Sequence, residues 1–268
     1  NLRNITIPKN VKTIKSTTFS KCESLESITL PESVTAIERS AFMDCSSLQR
    51  IIIPKSVTKI GSSAFSGCLS LERIEIDGNV TSIGNGAFSG CPILETVIYK
   101  GIIKPLDDGE VFYDTKVEAV LVPEEYNEDI FCSVIAAKPS GQCGEQMKFN
   151  IEKGNLLITG KGSMNDYMIS KRPTWYYYRN FIEGISISED VSSIGNYAFS
   201  NFIIPNSISI PRNVISIGSY SFSNCSNLNE IIIPYKVQEL GNYAFGYCSN
   251  LTSATFEGKN NPTCDKTV

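Results

Sequence analysis

The sequence contains no histidine. That absence removes the commonest general base, every serine–histidine or cysteine–histidine pair, and every zinc site that needs an imidazole. Positive charge is not in excess either. The 24 lysines and arginines stand against 28 aspartates and glutamates, a net charge of -4 and the wrong sign for neutralising nucleic-acid phosphates. No apolar run approaches the roughly 18–20 residues a helical membrane span needs. The nine cysteines contain no C-x-x-C knuckle, so a thiolate zinc cluster is not expected. Carboxylate or lysine chemistry is what remains. Asp107-Asp108 and Glu124-Glu125 are sequence neighbours whose side chains diverge, whereas an acid–base pair must converge across a cleft. Enzyme chemistry is thereby made less expected without being excluded, and neither a zinc cluster nor a nucleic-acid partner is expected.

What the sequence does contain is a period. Cys22, Cys45, Cys68 and Cys91 are 23 residues apart, as are Phe19, Phe42, Phe65 and Phe88, and Pro8, Pro31 and Pro54. The step returns in Phe199, Phe222 and Phe245 and in Cys225 and Cys248. A fixed period of this size is the signature of a solenoid. In the coil Leu25 to Ser47, Leu25, Ile28 and Leu30 make an L-x-x-L-x-L opening. Ile28 and Leu30 alternate with Ser27 and Thr29, which predicts a strand with one buried face. Pro31 ends the pairing. A small polar column follows (Asn10, Ser33, Ser56, Asn79, Asp190, Asn213), suited to satisfying turning backbone. Glycines 61, 84, 195, 218 and 241 mark a turn, and Ala41-Phe42 with Cys45 read as a short helical turn.

Strand centres Ile5, Ile28, Ile51, Ile74, Val97 and Val120 share one register, and Ile185, Ile208, Ile231 and Ala254 a second. Between Val120 and Ile185 the register is lost, and the gap holds one coil plus an insertion. The fold class expected is a mainly β, α/β solenoid of short parallel strands with turns and short helical segments, interrupted by a hairpin-containing insertion. Its parts are a first stack over 1–137 with six coils, an insertion or cap over 138–181, and a second stack over 182–268 with four. A longer duplication is superimposed. Phe42, Phe65 and Phe88 recur as Phe199, Phe222 and Phe245, and at the same offset Gly101, Pro105, Asp108 and Val111 recur as Gly258, Pro262, Asp265 and Val268. That offset is not a whole number of coils, so the unit repeated is a group of coils with its interrupting segment. With the start in mid-repeat, this suggests a piece of a longer protein. In the insertion, Met147 to Ile151 and Leu156 to Thr159 read as two strands around Glu152-Lys153-Gly154-Asn155. Trp175, Tyr176 and Tyr177 follow Pro173, either as a cap over open core or as an aromatic carbohydrate or protein site.

The pattern Leu48-x-x-Ile51-x-Ile53-Pro54-x-x-Val57-x-x-Ile60-Gly61-x-x-Ala64-Phe65-x-x-Cys68 resembles the BspA-like leucine-rich-repeat family. The insertion, with Cys143-Gly144-Glu145, Leu157-Ile158-Thr159-Gly160 and Met164-x-Asp166-Tyr167, is similar to a segment of family members from mucosal protists. The resemblance implies a secreted or cell-surface protein that attaches to host cells, matrix proteins or glycans, without catalytic residues or cofactor. Two other readings stay open: a structural spacer or coat component, and a carboxylate-dependent hydrolase. An extracellular setting would allow Cys132 and Cys143, off the repeat column and flanking the junction, to form a disulfide, leaving the six column cysteines as thiols.

Alternation along the strands also picks out an outward face. If Ile51 and Ile53 point in, Arg50 and Ile52 point out, and with them Arg73, Glu75, Thr96 and Ile98. Arginine beside exposed apolar side chains is a common composition for a protein-binding hot spot. These six residues are the candidate ligand site, on the face repeat proteins use as an extended binding surface.

Overall fold

The computed structural model describes residues 2–203, 207–258 and 262–264. The chain divides into two compact units, Asn1–Lys138 and Pro139–Val268. Pro205, Asp265 and Val268 lie outside the described residues.

The first unit has the six expected strands: Asn4–Thr6, Ser27–Thr29, Arg50–Ile53, Arg73–Ile76, Thr96–Tyr99 and Ala119–Leu121. They run parallel in the register of the repeat, Ile51 beside Ile74, Val97 and Val120, with one break in the ladder between the second and third. A second parallel ladder of two-residue strands, from Thr13–Ile14 to Leu106–Asp107, forms another side of each coil. Between the ladders the inward columns fill the core. Phe19, Phe42, Phe65, Phe88 and Phe112 stack with ring centroids 5.2, 5.0, 5.3 and 5.8 Å apart and nearly parallel planes. That spacing is the rung spacing of parallel strands, which is why one residue type per column can stack on itself. The last step is one position longer than a coil, so Phe112, not Val111, continues the ring column.

The segment expected as a short helical turn is not helical. Alternate amides leave the coil altogether: Ser40, Phe42 and Asp44 donate to the carbonyls of Ser62, Ala64 and Ser66 one coil on. The amides between them, Ala41, Met43 and Cys45, close turns to residues three earlier. Ser40 and Asp44 hold φ of 55° and 60°, and the left-handed region recurs at these two positions in coil after coil, which breaks any helix. The column cysteines close the pattern. Sγ of Cys45, Cys68 and Cys91 donates to the carbonyls of Phe19, Phe42 and Phe65 at 3.1, 3.3 and 3.2 Å. The polar column bonds coil to coil, with Ser33 and Ser56 Oγ donating to Val11 and Val34 O at 2.7 Å. The turn glycines are required by close approach: a Cβ on Gly61 would meet the Arg39 backbone nitrogen at 2.5 Å. At the end of the unit Val134–Ala137 pairs in parallel with Ala119–Leu121, forming a shorter rung over buried Tyr99, Tyr126 and Phe131.

The second unit contains the segment set apart above as an insertion. Met147–Glu152 and Asn155–Gly160 form the expected antiparallel hairpin. Its second strand pairs in parallel with Gly184–Ile187, Leu156 beside Ile185, so the hairpin is the first rung of this unit. Thr174–Phe181 is a 3-10 helix, the one helix among the described residues, and it brings Trp175 into the ring column. The Trp175 ring lies 6.2 Å from Phe199, which continues to Phe222 and Phe245 at 5.2 and 5.4 Å. Its indole Nε1 donates to Ala198 O at 2.8 Å. Phe19 and Phe42 use their backbone amides on the equivalent carbonyls of Ala41 and Ala64, so the indole replaces a missing rung. Strands Ser207–Ile208, Glu230–Ile233 and Ser253–Phe256 follow. Phe202, where the column cysteine would stand, is buried against Phe199. Ala254, expected inside, is exposed, on a strand that pairs with Glu230–Ile233.

Candidate functional site

Pleating sends Ile51 and Ile53 into the core and Arg50 and Ile52 outward, and the parallel register then sets the neighbours. Arg50, Arg73 and Thr96 lie in one row across three strands, and Ile52, Glu75 and Ile98 in the next. The six residues chosen from sequence therefore form one grid, two positions deep and three rungs wide. Arg50 is exposed, Ile52 is 52 % exposed, and the other four are half-buried. A groove of about 620 Å³ runs along this face, walled by Ser27, Thr29, Arg50, Ile52, Arg73 and Glu75.

Electrostatics divide the grid. Arg73 donates from Nε and Nη2 to Glu75 Oε1 at 3.1 and 2.8 Å. Lys100 Nζ stands 3.4 Å from Glu75 Oε2 and 2.7 Å from Asp77 Oδ1. The hydrogen bond to Asp77, then the nearby charges of Asp77 and Glu75, outweigh desolvation and hold the Lys100 amine above its ordinary range. The Arg50 side chain has no ion pair or hydrogen bond among the described residues. Sequence reasoning missed Lys100 and Asp77, although a signal existed: the column of Pro8, Pro31 and Pro54 continues as Asp77 and Lys100, opposite charges one rung apart. The corresponding face of the second unit is acidic, with a groove of about 610 Å³ bordered by Glu189, Arg212, Glu230, exposed Ile232 and Glu257.

Of the two readings of the aromatic run, Trp175 takes that of the cap, and one further expectation is corrected. Trp175 is 1 % exposed and edge-on to Phe149 and Tyr167, so it serves the core and offers no ligand platform. Tyr176 is half-buried with the guanidinium groups of Arg172 and Arg179 over its ring at 4.7 and 4.3 Å, and Tyr177 packs edge-on against it. The Cys132–Cys143 disulfide is not formed. Both are free thiols, Cys132 inside the apolar cluster of the first unit and Cys143 inside that of the second. Burial pushes each of them up to about 12. The six column cysteines are free as well. Glu124, Glu125 and Asp108 face solvent and Asp107 is half-buried. No group of three acidic or sulfur ligands that could hold a metal is found among the described residues, and no helix there is long and apolar enough to cross a membrane.

Several solved structures are similar to the chain. A leucine rich cell surface protein of Faecalibacterium prausnitzii is 23 % identical over 97 % of the chain, with a TM-score of 0.31. The chain spans 61 % of that protein's length. The pneumococcal vaccine antigen PcpA is 21 % identical over 95 % of this chain and 72 % of its own, with a TM-score of 0.38. The leucine rich repeat protein of T. pallidum is 19 % identical over 92 % and 77 %, with a TM-score of 0.41. Among curated proteins nothing matches. Six copies of the BspA type leucine rich repeat region match residues 1–126 and 172–266, most of the chain, and the chain belongs to that family.

Proposed function

We propose that this chain is the recognition module of a secreted or cell-surface adhesive protein, and that it binds a host-surface or matrix protein through the outward strand face of its first unit. The observation that carries this reading is the pair Arg50 and Ile52. An unpaired guanidinium and an isoleucine 52 % exposed stand side by side on a groove, next to an ion network that already satisfies its own charges. Neither side chain is needed by the core, and arginine with an apolar neighbour is a favoured hot-spot composition. The module performs no chemistry in this reading; a solenoid of this kind offers an extended surface for contact.

The test is a binding screen of the recombinant chain against matrix proteins, host-cell surfaces and glycan arrays. Arg50→Ser and the Arg50→Ser/Arg73→Ser double variant are then measured on the ligand found. The double variant is expected to weaken binding at least tenfold, about 1.4 kcal/mol, with the fold intact. Unchanged affinity would move the site off this face. A screen that finds no specific partner would favour the structural spacer.

A further inference from the structure

The second unit carries a column of tyrosines that the first lacks. Tyr197, Tyr220 and Tyr243 stack with centroids 4.9 and 5.2 Å apart and planes within 7° and 24° of parallel. Tyr247 adds a fourth ring at 5.8 Å and 13°. The positions they duplicate in the first unit hold Ser40, Ser63, Gly86 and Gly90.

The scaffold does not ask for tyrosine here. All four residues sit in the left-handed region, with φ of 55°, 55°, 51° and 61°. Glycine is free there and a bulky side chain is an outlier, so small residues are the natural filling, as at the four duplicated positions of the first unit. Nor do the rings serve the apolar core: none of the four belongs to the unit's buried cluster or packs against it. Three are half-buried, and Tyr247 is 70 % exposed. None of the four hydroxyls makes a hydrogen bond among the described residues. Asn201 and Asn224 run alongside, the Asn224 amide donating to Asn201 Oδ1 at 2.7 Å. On the other flank the side-chain oxygens of Asn196 and Ser219 accept the amides of Ser219 and Asn242, fixing the strip rung to rung. The stretches 196–201, 219–224 and 242–247 contain no charged residue.

We propose that this strip is a binding site for a neutral, extended β-linked polysaccharide lying along the stack. The phenol edges and the amides supply donors and acceptors at rung intervals of about 5 Å, the spacing of parallel strands. An extended β-linked hexopyranose chain advances by about the same distance per sugar, so successive sugars meet equivalent groups. Stacking covers the faces of the inner rings, leaving their hydroxyl edges for sugar hydroxyls. Tyr247, at the exposed end, can take the apolar face of a sugar ring. Rigid amphipathic rings make such contacts at little entropic cost. Without a cation, the strip has nothing to favour an anionic glycan over a neutral one. The site is independent of the strand-face reading, since it uses other residues on the other unit.

The experiment is affinity electrophoresis of the full chain through gels containing hydroxyethyl cellulose, laminarin, galactomannan or heparin. Bacterial expression keeps Asn224, within the sequence Asn-Cys-Ser, free of glycan. At least one neutral polysaccharide should retard the protein and heparin should not. The Tyr220→Ser/Tyr243→Gly variant, which restores the first unit's residues, should weaken retardation at least tenfold with its circular dichroism unchanged. Arg50→Ser should leave retardation as it is. No retardation by any neutral polysaccharide, equal retardation by heparin, or wild-type retardation of the double variant overturns the proposal. If the double variant fails to fold, Tyr247→Ser gives the reading, with a fall in retardation expected and its absence decisive against the site.

Discussion

Replacing Trp175 by phenylalanine separates a capping role from a ligand-binding one. The indole Nε1 satisfies the Ala198 carbonyl at 2.8 Å, and the ring is 1 % exposed between Phe149, Tyr167 and Phe199. In the rungs that follow, the equivalent carbonyls of Ser221 and Ala244 receive the backbone amides of Phe199 and Phe222, so Ala198 depends on the indole for the same bond. Phenylalanine keeps an aromatic ring and removes the donor, leaving a buried carbonyl unpaired at a cost of about 1–3 kcal/mol. The smaller ring gives up further apolar contact worth on the order of 1 kcal/mol. The sum is about 2–4 kcal/mol, against about 3–5 kcal/mol for the alanine variant. Because the two units need not unfold together, native-state hydrogen exchange is the suitable assay, read on peptides from Gly184–Ile187 and the turn after it. The loss should appear there and leave peptides around Phe65 unaffected. Trp175 is the sole tryptophan, so its emission in the wild type should be that of a buried indole and should not respond to polysaccharides. A loss below about 0.5 kcal/mol, within the range of ordinary surface changes, would refute the cap argument.

Phe65→Ala should cost about 3–5 kcal/mol, since the ring is fully buried between Phe42 and Phe88; a melt unchanged by it would contradict the stacked column. Gly84→Ala should lose about 1–3 kcal/mol in denaturant titration, because the added methyl meets the Ser62 backbone where neither side can withdraw. The thiols make the protein alkali-sensitive. Burial raises Cys45, Cys132 and Cys143 from 9.0 to about 12, so the folded state keeps protons that the unfolded state releases. Their contribution is intact below about pH 9 and is lost as pH rises toward about 12, so the denaturation midpoint should fall between about pH 8 and pH 10.5. A midpoint that holds or rises across that interval would contradict the burial of these thiols.

The strands were legible in the sequence because a solenoid forces each inward residue to stack on its own kind. Ile51, Ile74 and Val97 meet across the sheet, and the constant step between them in the chain states as much. The outward grid followed from the same alternation, since a side chain beside an inward one on a strand has only the other face. What repetition cannot convey is which backbone a turn adopts. Ala41, Phe42 and Cys45 have a helix-like spacing, yet Ser40 and Asp44 are left-handed. The signal lay in the columns around them, where Gly67, Gly86 and Gly90 appear in later coils. Trp175 stands one position out of register with Phe199, and only the packing of the hairpin rung distinguishes a ring that continues the column from one offered to a ligand. The spacing of Cys132 and Cys143 was equally silent on the matter that decided their chemistry, which is the core each thiol enters.

The duplication makes the same point in reverse. Between duplicated positions the inward columns keep their character: Phe65 and Phe222, Cys68 and Cys225, Val57 and Val214 are all buried. The outward ones do not. Arg50 and Arg73 become Ser207 and Glu230, and Ser40, Ser63 and Gly86 become Tyr197, Tyr220 and Tyr243. A buried side chain must fit rungs above and below, so exchanging it disturbs packing on both sides. An outward side chain escapes that constraint, so its identity reports what the surface contacts. The reversal of charge on the strand face and the replacement of small left-handed residues by tyrosine are changes that packing does not demand. They place different surface chemistry on two copies of one scaffold, and each surface calls for its own ligand assay.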